Sequence, residues 1–231
     1  MDTIKINKHN TLLISDGGNQ INEIDHTYPA ILGACNKDYD GILVYVRFTK
    51  DRYIVCSRNR SLYRLIKKKI HISRSKYEEL LEINFNKPFT YITKLEEVID
   101  LTSRYHKKLI IKLCQPIGYI EINQLQELLK NYPLSNISIM VNDPVILNKF
   151  KRFSKDLKLI YEIDNINENI IEQAKLNHFE LVIPLESNIL NHLKILKKEK
   201  IKIGIKDLNN PIDASIMINS NIDFIITKIL E

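Results

Sequence analysis

The chain is predicted to fold as a (β/α)8 barrel, an α/β architecture of eight parallel strands ringed by helices, and three observations predict it. Eight short apolar runs recur along the 231 residues, stretches with helical spacing stand between them, and no Pro-, Gly- or Ser-rich run breaks the alternation. Parallel neighbours cannot be joined by a tight turn; they need a crossover, which places helices on the outer face. One barrel fits a chain of 27.1 kDa, and without a linker residues 1–231 are read as a single domain.

The elements follow in order. Residues 11–15 form the first strand, ended by Asp16-Gly17-Gly18, a glycine pair suited to a βα loop. Residues 26–36 place Tyr28, Ile31, Leu32 and Cys35 at helical spacing, with Asp25 or Thr27 as cap and Pro29 in the first turn. Residues 42–46 are β-branched and aromatic, and after a turn at Lys50-Asp51 the run 53–56 returns beside them. Residues 60–94 are irregular except for a short helix at 76–82. From there the alternation is steady: helix 95–105, strand 109–113, helix 121–132, strand 137–141, then Asp143-Pro144 as cap and first turn of a helix. Strand 157–163, helix 167–175, strand 179–183, helix 187–198 and strand 201–205 continue the series. Asn210-Pro211 opens the last helix, and strand 222–226 closes the set.

Composition excludes several classes. No run approaches the roughly 18 to 20 apolar residues of a membrane span, and the polar start is unlike a signal peptide; a soluble, cytoplasmic protein is expected. Cys35, Cys56 and Cys114 are odd in number and lack metal-ligand spacing, so reduced thiols are expected and a zinc site is not. The net charge of +6 is read as basic residues spread over helix faces, with Lys67-Lys68-Lys69 a solvated face and nucleic acid not a partner.

The stretch 40–59 carries a further signal. Asp40-Gly41-Ile42, Val46, Thr49-Lys50-Asp51, then Leu62 and Arg64, together with a closing Asp223-Phe224-Ile225-Ile226-Thr227, reproduce the scaffold letters of a known pattern. In it the chain resembles the glycerophosphodiester phosphodiesterases across nearly its whole length. The resemblance implies a barrel in which carboxylates at strand ends hold a divalent cation, two histidines serve as acid and base, and an arginine grips the phosphate. Here those letters differ. The first histidine and the arginine fall on Asp16 and Gly17, the second histidine on Ser57, and the metal carboxylates on Leu43, Tyr45 and Lys112. Leucine, tyrosine and lysine do not hold a hard cation, so neither a metal nor another cofactor is expected.

Two functional classes remain. The leading one is a non-catalytic relative that binds a phosphate-containing small molecule or a protein: Tyr45, Ser57, Arg58 and Lys112 would form a cationic cup at the barrel mouth. The bland alternative is that Lys112 pairs with Asp16 or Glu162 and fills a relic cavity, that Asp16 braces the Gly-Gly turn, and that His26 serves the helix start. The second class is a divergent hydrolase acting on glycerophosphodiesters in lipid metabolism. Finally, five residues after Ile226 cannot form a covering helix, so an apolar seam between strands eight and one is expected, to be covered by a second copy or a protein partner.

Overall fold

Eight strands close on themselves, seven of them linked to the next by a helix. The computed structural model describes residues 3–114, 117–185 and 189–231. β1 (Leu12–Asp16) leads through α1 (Tyr28–Cys35) to β2 (Gly41–Phe48), which turns back as the short antiparallel β3 (Ile54–Cys56). An excursion follows, holding α2 (Tyr63–Ile66) and α3 (Tyr77–Leu81), before α4 (Leu95–Arg104) returns to β4 (Lys108–Leu113). Then come α5 (Tyr119–Leu129), β5 (Ile137–Val141), α6 (Pro144–Phe153), β6 (Lys158–Glu162), α7 (Glu168–Asn177) and β7 (Glu180–Pro184). α8 (Ile189–Lys198), β8 (Ile203–Lys206), α9 (Pro211–Asn219) and β9 (Phe224–Thr227) complete the chain. The parallel pairings run from β1 through β2, β4, β5, β6, β7, β8 and β9 and back to β1, so the barrel is closed. No helix among the described residues is long and apolar enough to cross a membrane.

The predicted elements stand, with shifts of one or two residues at most ends. Two differences have local causes. The hairpin turn spans 49–53 rather than two residues, because Thr49 caps both sides, its amide donating to the Tyr53 carbonyl and its hydroxyl accepting the Tyr53 amide, with Arg52 in the left-handed region at φ 71°. α2 has no counterpart among the predicted elements because a single turn carries no periodic signal. The start expected for α8 at Ser187 lies outside the described residues.

Strand pleating sorts side chains into two cores. Outward residues such as Leu13, Ile42, Val44 and Ile111 meet the helices in the large core. Inward residues Ile14, Leu43, Ile110, Met140, Ile160 and Val182, with Phe224 and Ile226, fill the barrel. β8 gives this layer only Gly204, and the Phe224 ring takes the space: a Cβ on Gly204 would stand 2.2 Å from it.

The expected open seam between β9 and β1 is not there. Leu13 and Ile225 are fully buried and Leu230 is at 0% exposure. Residues at the two ends of the chain cover it by pairing with each other: the Ile4 amide donates to the Ile229 carbonyl, and the Glu231 amide donates back to the Ile4 carbonyl. Ile6 and Ile229 pack on the core from this clasp. Counting only the helix after strand eight overlooks a two-strand cover, which needs far fewer residues.

Candidate ligand site at the barrel mouth

The C-terminal ends of barrel strands converge, and the last inward position of each strand is therefore where this chain's chemistry must lie. β1 ends on Asp16, β2 supplies Tyr45, β4 Lys112, β6 Glu162 and β8 Lys206. After Asp16 the chain turns sharply through Gly17 and Gly18, at φ 79° and 93°. Gly18 lies so close to α1 that a Cβ would be 2.5 Å from the Ala30 carbonyl, and only glycine fits both demands.

Arg58, two residues past β3, reaches over the mouth and is the hub of one half of it. Its Nη2 lies 2.6 Å from Asp16 Oδ1, its Nε donates to Asp25 Oδ2 at 3.2 Å, and its Nη1 donates to the Tyr45 hydroxyl at 3.0 Å. The guanidinium carbon also stands 4.3 Å from the Tyr45 ring centroid. Burial by itself works against the charge on Arg58, but Asp16, with Tyr45 and Asp25, more than compensates, so the guanidinium is held more firmly protonated than usual. Burial and then Asp16 push the Tyr45 phenol well above its ordinary range, so it remains a neutral donor.

Lys112 builds the other half. Its Nζ lies 4.8 Å from the Tyr45 ring centroid and 2.6 Å from Glu162 Oε1, and Lys206 Nζ approaches the same oxygen at 2.9 Å. Burial pushes the Glu162 carboxyl up, but Lys112 and Lys206 together overcome it and hold it below the usual carboxylate range. Tyr45 thus stands between two ion-paired groups, a cation from each on its ring.

Of the predicted cup residues, the structure brings together Tyr45, Arg58 and Lys112. Ser57 is buried, but its hydroxyl donates to the Asn59 carbonyl at 3.1 Å, within its own loop. Asp16 pairs with Arg58 instead of bracing the turn, and Lys112 takes Glu162 of the two partners expected for it. Lys206 is a mouth residue that the sequence reading missed, although the parity that puts Lys112 on the inner face of its strand also puts Lys206 there.

His26 does not serve the helix start. Its backbone is left-handed at φ 63°, its amide donates to the Gly17 carbonyl, and this folds the imidazole inward, edge-on to Tyr45 with ring centroids 5.1 Å apart. The ring is at 1% exposure, neither nitrogen has a hydrogen-bond partner, and Nε2 is 3.7 Å from Asp25 Oδ2. Burial, and then Arg58, lower its pKa to about 3.

The cation implied by the resemblance finds no ligand set. Leu43 is part of the apolar filling, Tyr45 is a protonated phenol, and an ammonium at Lys112 repels a cation. Among the described residues no group of three His, Cys, Asp or Glu stands close enough to hold a metal ion. Beside the mouth, between the β2–β3 hairpin and α5, a cavity of about 380 Å³ is lined by Arg47, Lys50, Arg52, Arg60, Cys114 and Glu121.

No protein-family model matches this chain, and no curated protein matches its sequence. Solved structures do match in shape. A phosphodiesterase of Oleispira antarctica, in complex with the product sn-glycerol-3-phosphate, superposes with a TM-score of 0.85 at 17% identity, covering 94% of this chain and 92% of that one. The glycerophosphodiester phosphodiesterase of Thermotoga maritima gives 0.80 at 24% identity, covering 95% of each chain, and one from Parabacteroides distasonis gives 0.80 at 18%, covering 96% and 94%. The chain has the fold of the glycerophosphodiester phosphodiesterases.

Proposed function

We propose that this barrel is a non-hydrolytic member of that fold group and binds a phosphate-containing small molecule, of the glycerol phosphate kind, at its mouth without a metal. The observation that carries the reading is the pair of cations on Tyr45. A phosphate seated over the ring meets Arg58 on one side and Lys112 on the other, with the phenol as a neutral donor, and both cations keep N–H groups beyond those their carboxylate partners use. The Oleispira antarctica structure, which holds glycerol phosphate, lends the ligand class. Because Asp16, Asp25 and Glu162 already balance these charges, an incoming anion competes with resident carboxylates, and millimolar affinity is the expected scale, about 4 kcal/mol. The setting that goes with this reading is lipid metabolism in the cytoplasm.

A divergent hydrolase is the second reading, and His26 is the observation in its favour. An imidazole with a pKa of about 3 is a feeble base near neutrality, and at 1% exposure it is screened from a substrate. A protein partner at the β9–β1 seam loses its support, since the terminal clasp covers the apolar face.

The deciding experiment has two arms. Phosphate and glycerol 3-phosphate are titrated by NMR into the protein and into Lys112→Ala; amide shifts around Tyr45 that saturate in the millimolar range and vanish in the variant are expected. In parallel, glycerol 3-phosphate release from glycerophosphocholine is assayed with and without Mg²⁺. Turnover that is lost in His26→Gln would replace the binding reading with the hydrolytic one.

A further inference from the structure

The net charge of this protein comes from one stretch of its sequence. Residues 60–94 hold nine Lys and Arg against three Glu, a net of +6, which is the net charge of the entire chain. Everything outside them balances, with twenty-five residues of each sign. Between Asp51 and Glu78 there is no acidic residue at all, and nine basic ones. The excess of +6 is therefore a local property of the excursion between β3 and α4, although the basic residues themselves are spread, twenty-five of the thirty-four lying outside it.

Within the excursion the charge stands at a tip. The segment leaves the barrel and returns through Ser61, bridged to His71, while the Leu62 amide donates to the Ile70 carbonyl. Leu62 and Ile72 anchor it in a small separate core. What projects from that base is α2 and the turn after it: Lys67 takes the left-handed conformation at φ 59°, and Arg64, Lys67, Lys68 and Lys69 are all exposed. Tyr63 stands among them, half exposed and one helical turn from Lys67, whose amide donates to its carbonyl. The same excursion exposes Phe89 to 89%. A salt-bridge network is the usual fate of such a cluster, but no acidic residue is near enough in sequence to supply one.

We propose that this tip docks the protein on an anionic membrane surface, with Lys67, Lys68, Lys69 and Arg64 facing the lipid phosphates and Tyr63 entering the headgroup layer. Charge complementarity identifies the partner: a cluster of four or more cations beside an exposed aromatic ring suits a surface that is negative and apolar just beneath. The exposed aromatic ring among the cations favours a lipid surface over a nucleic acid backbone, which the basic residues alone would suit. Arg60, at the base of the excursion, also lines the cavity that holds Arg47, Lys50 and Arg52. This inference is independent of what the mouth binds.

The test uses the full chain and vesicle sedimentation at low salt. Phosphatidylcholine vesicles containing about 30 mol % phosphatidylserine are compared with phosphatidylcholine alone. Expected is binding to the anionic vesicles only, weakened at least tenfold in a Lys67→Glu, Lys68→Glu, Lys69→Glu variant and left within twofold by Lys155→Glu, Lys194→Glu, Lys198→Glu, which removes equal charge from exposed lysines elsewhere. Tyr63→Ala should lower the binding that survives at higher salt, since an apolar contact is not screened. Circular dichroism melts confirm that the variants fold. Equal binding to neutral vesicles, an equal loss in both triple variants, or no binding to anionic vesicles would each overturn the proposal, and a nucleic acid duplex that the chain retains and the tip variant releases would replace the membrane as partner.

Discussion

Two levels of the barrel interior, two residues apart on the same strands, are built on opposite principles. The inner level is apolar and close-packed: Leu43 and Ile110 fill it with Phe224, whose ring rests on Gly204. One pleat further along lie Tyr45 and Lys112, and at the same mouth Asp16, Glu162 and Lys206, ion-paired across the opening. The inner level draws its stability from area removed from water and shape fit. The mouth gains little net stability from its ion pairs, because partly buried charges must first be desolvated, but it is costly to break one-sidedly. A barrel can thus change its chemistry at the mouth while its filling holds the strands in register.

Substitutions test this contrast. The largest effect is expected at the inner level: Phe224→Ala leaves a cavity against Gly204, and a loss of about 3 to 5 kcal/mol by urea denaturation is expected. A loss below about 1 kcal/mol would mean that the filling is not rigid. Next, Arg58→Met strands Asp16, at 2% exposure, without its cation. About 3 kcal/mol is expected, and Arg58→Met combined with Asp16→Leu should recover most of it, because the buried carboxylate is then gone and only the more exposed Asp25 loses its cation. If the double variant is as unstable as the single, the pair is not coupled.

Acid should expose the mouth before the filling. His26 has a folded pKa of about 3 against 6.5 when unfolded, through burial and then Arg58. Below pH 6.5 the unfolded chain takes up a proton that the fold refuses, so stability is lost as pH falls from 6.5 towards 3, by about 1.4 kcal/mol for each unit. Thermal melts from pH 7 to 4 should show this slope, and His26→Phe should flatten it. The smallest effect belongs to Lys112→Met. Glu162 keeps Lys206 at 2.9 Å, so a loss of about 1 kcal/mol is expected. Its carboxyl, held low by the two lysines against burial, then titrates at a higher pH, which NMR can follow.

The inner level is legible in the sequence and the mouth only in part. Alternation along runs such as 109–113 fixes which residues face inward, and the same parity marks Tyr45 and Lys112 as mouth positions. Partner choice is not legible. Whether Lys112 meets Asp16 or Glu162 depends on distances across the barrel between residues fifty or more apart in sequence, which no local pattern encodes. The role of His26 is hidden because its inward turn depends on a left-handed backbone at a non-glycine residue, stabilised by the Gly17 carbonyl. The seam is misjudged for a related reason: two short segments from opposite ends of the sequence cover it, and neither has the length or the period of an element.

That clasp bears on how the chain becomes a barrel. The ladder between β1 and β9, and the Ile4–Leu230 bridge beyond it, join segments more than two hundred residues apart in sequence. Until β9 pairs with it, β1 has one edge without a partner. Long-range closure of this kind makes folding slow relative to helical proteins of equal size, and leaves a strand edge open to mispairing in the meantime. Lys5 and Lys8, on the segment leading into β1, are the sort of charged residues that discourage such contacts until β9 arrives.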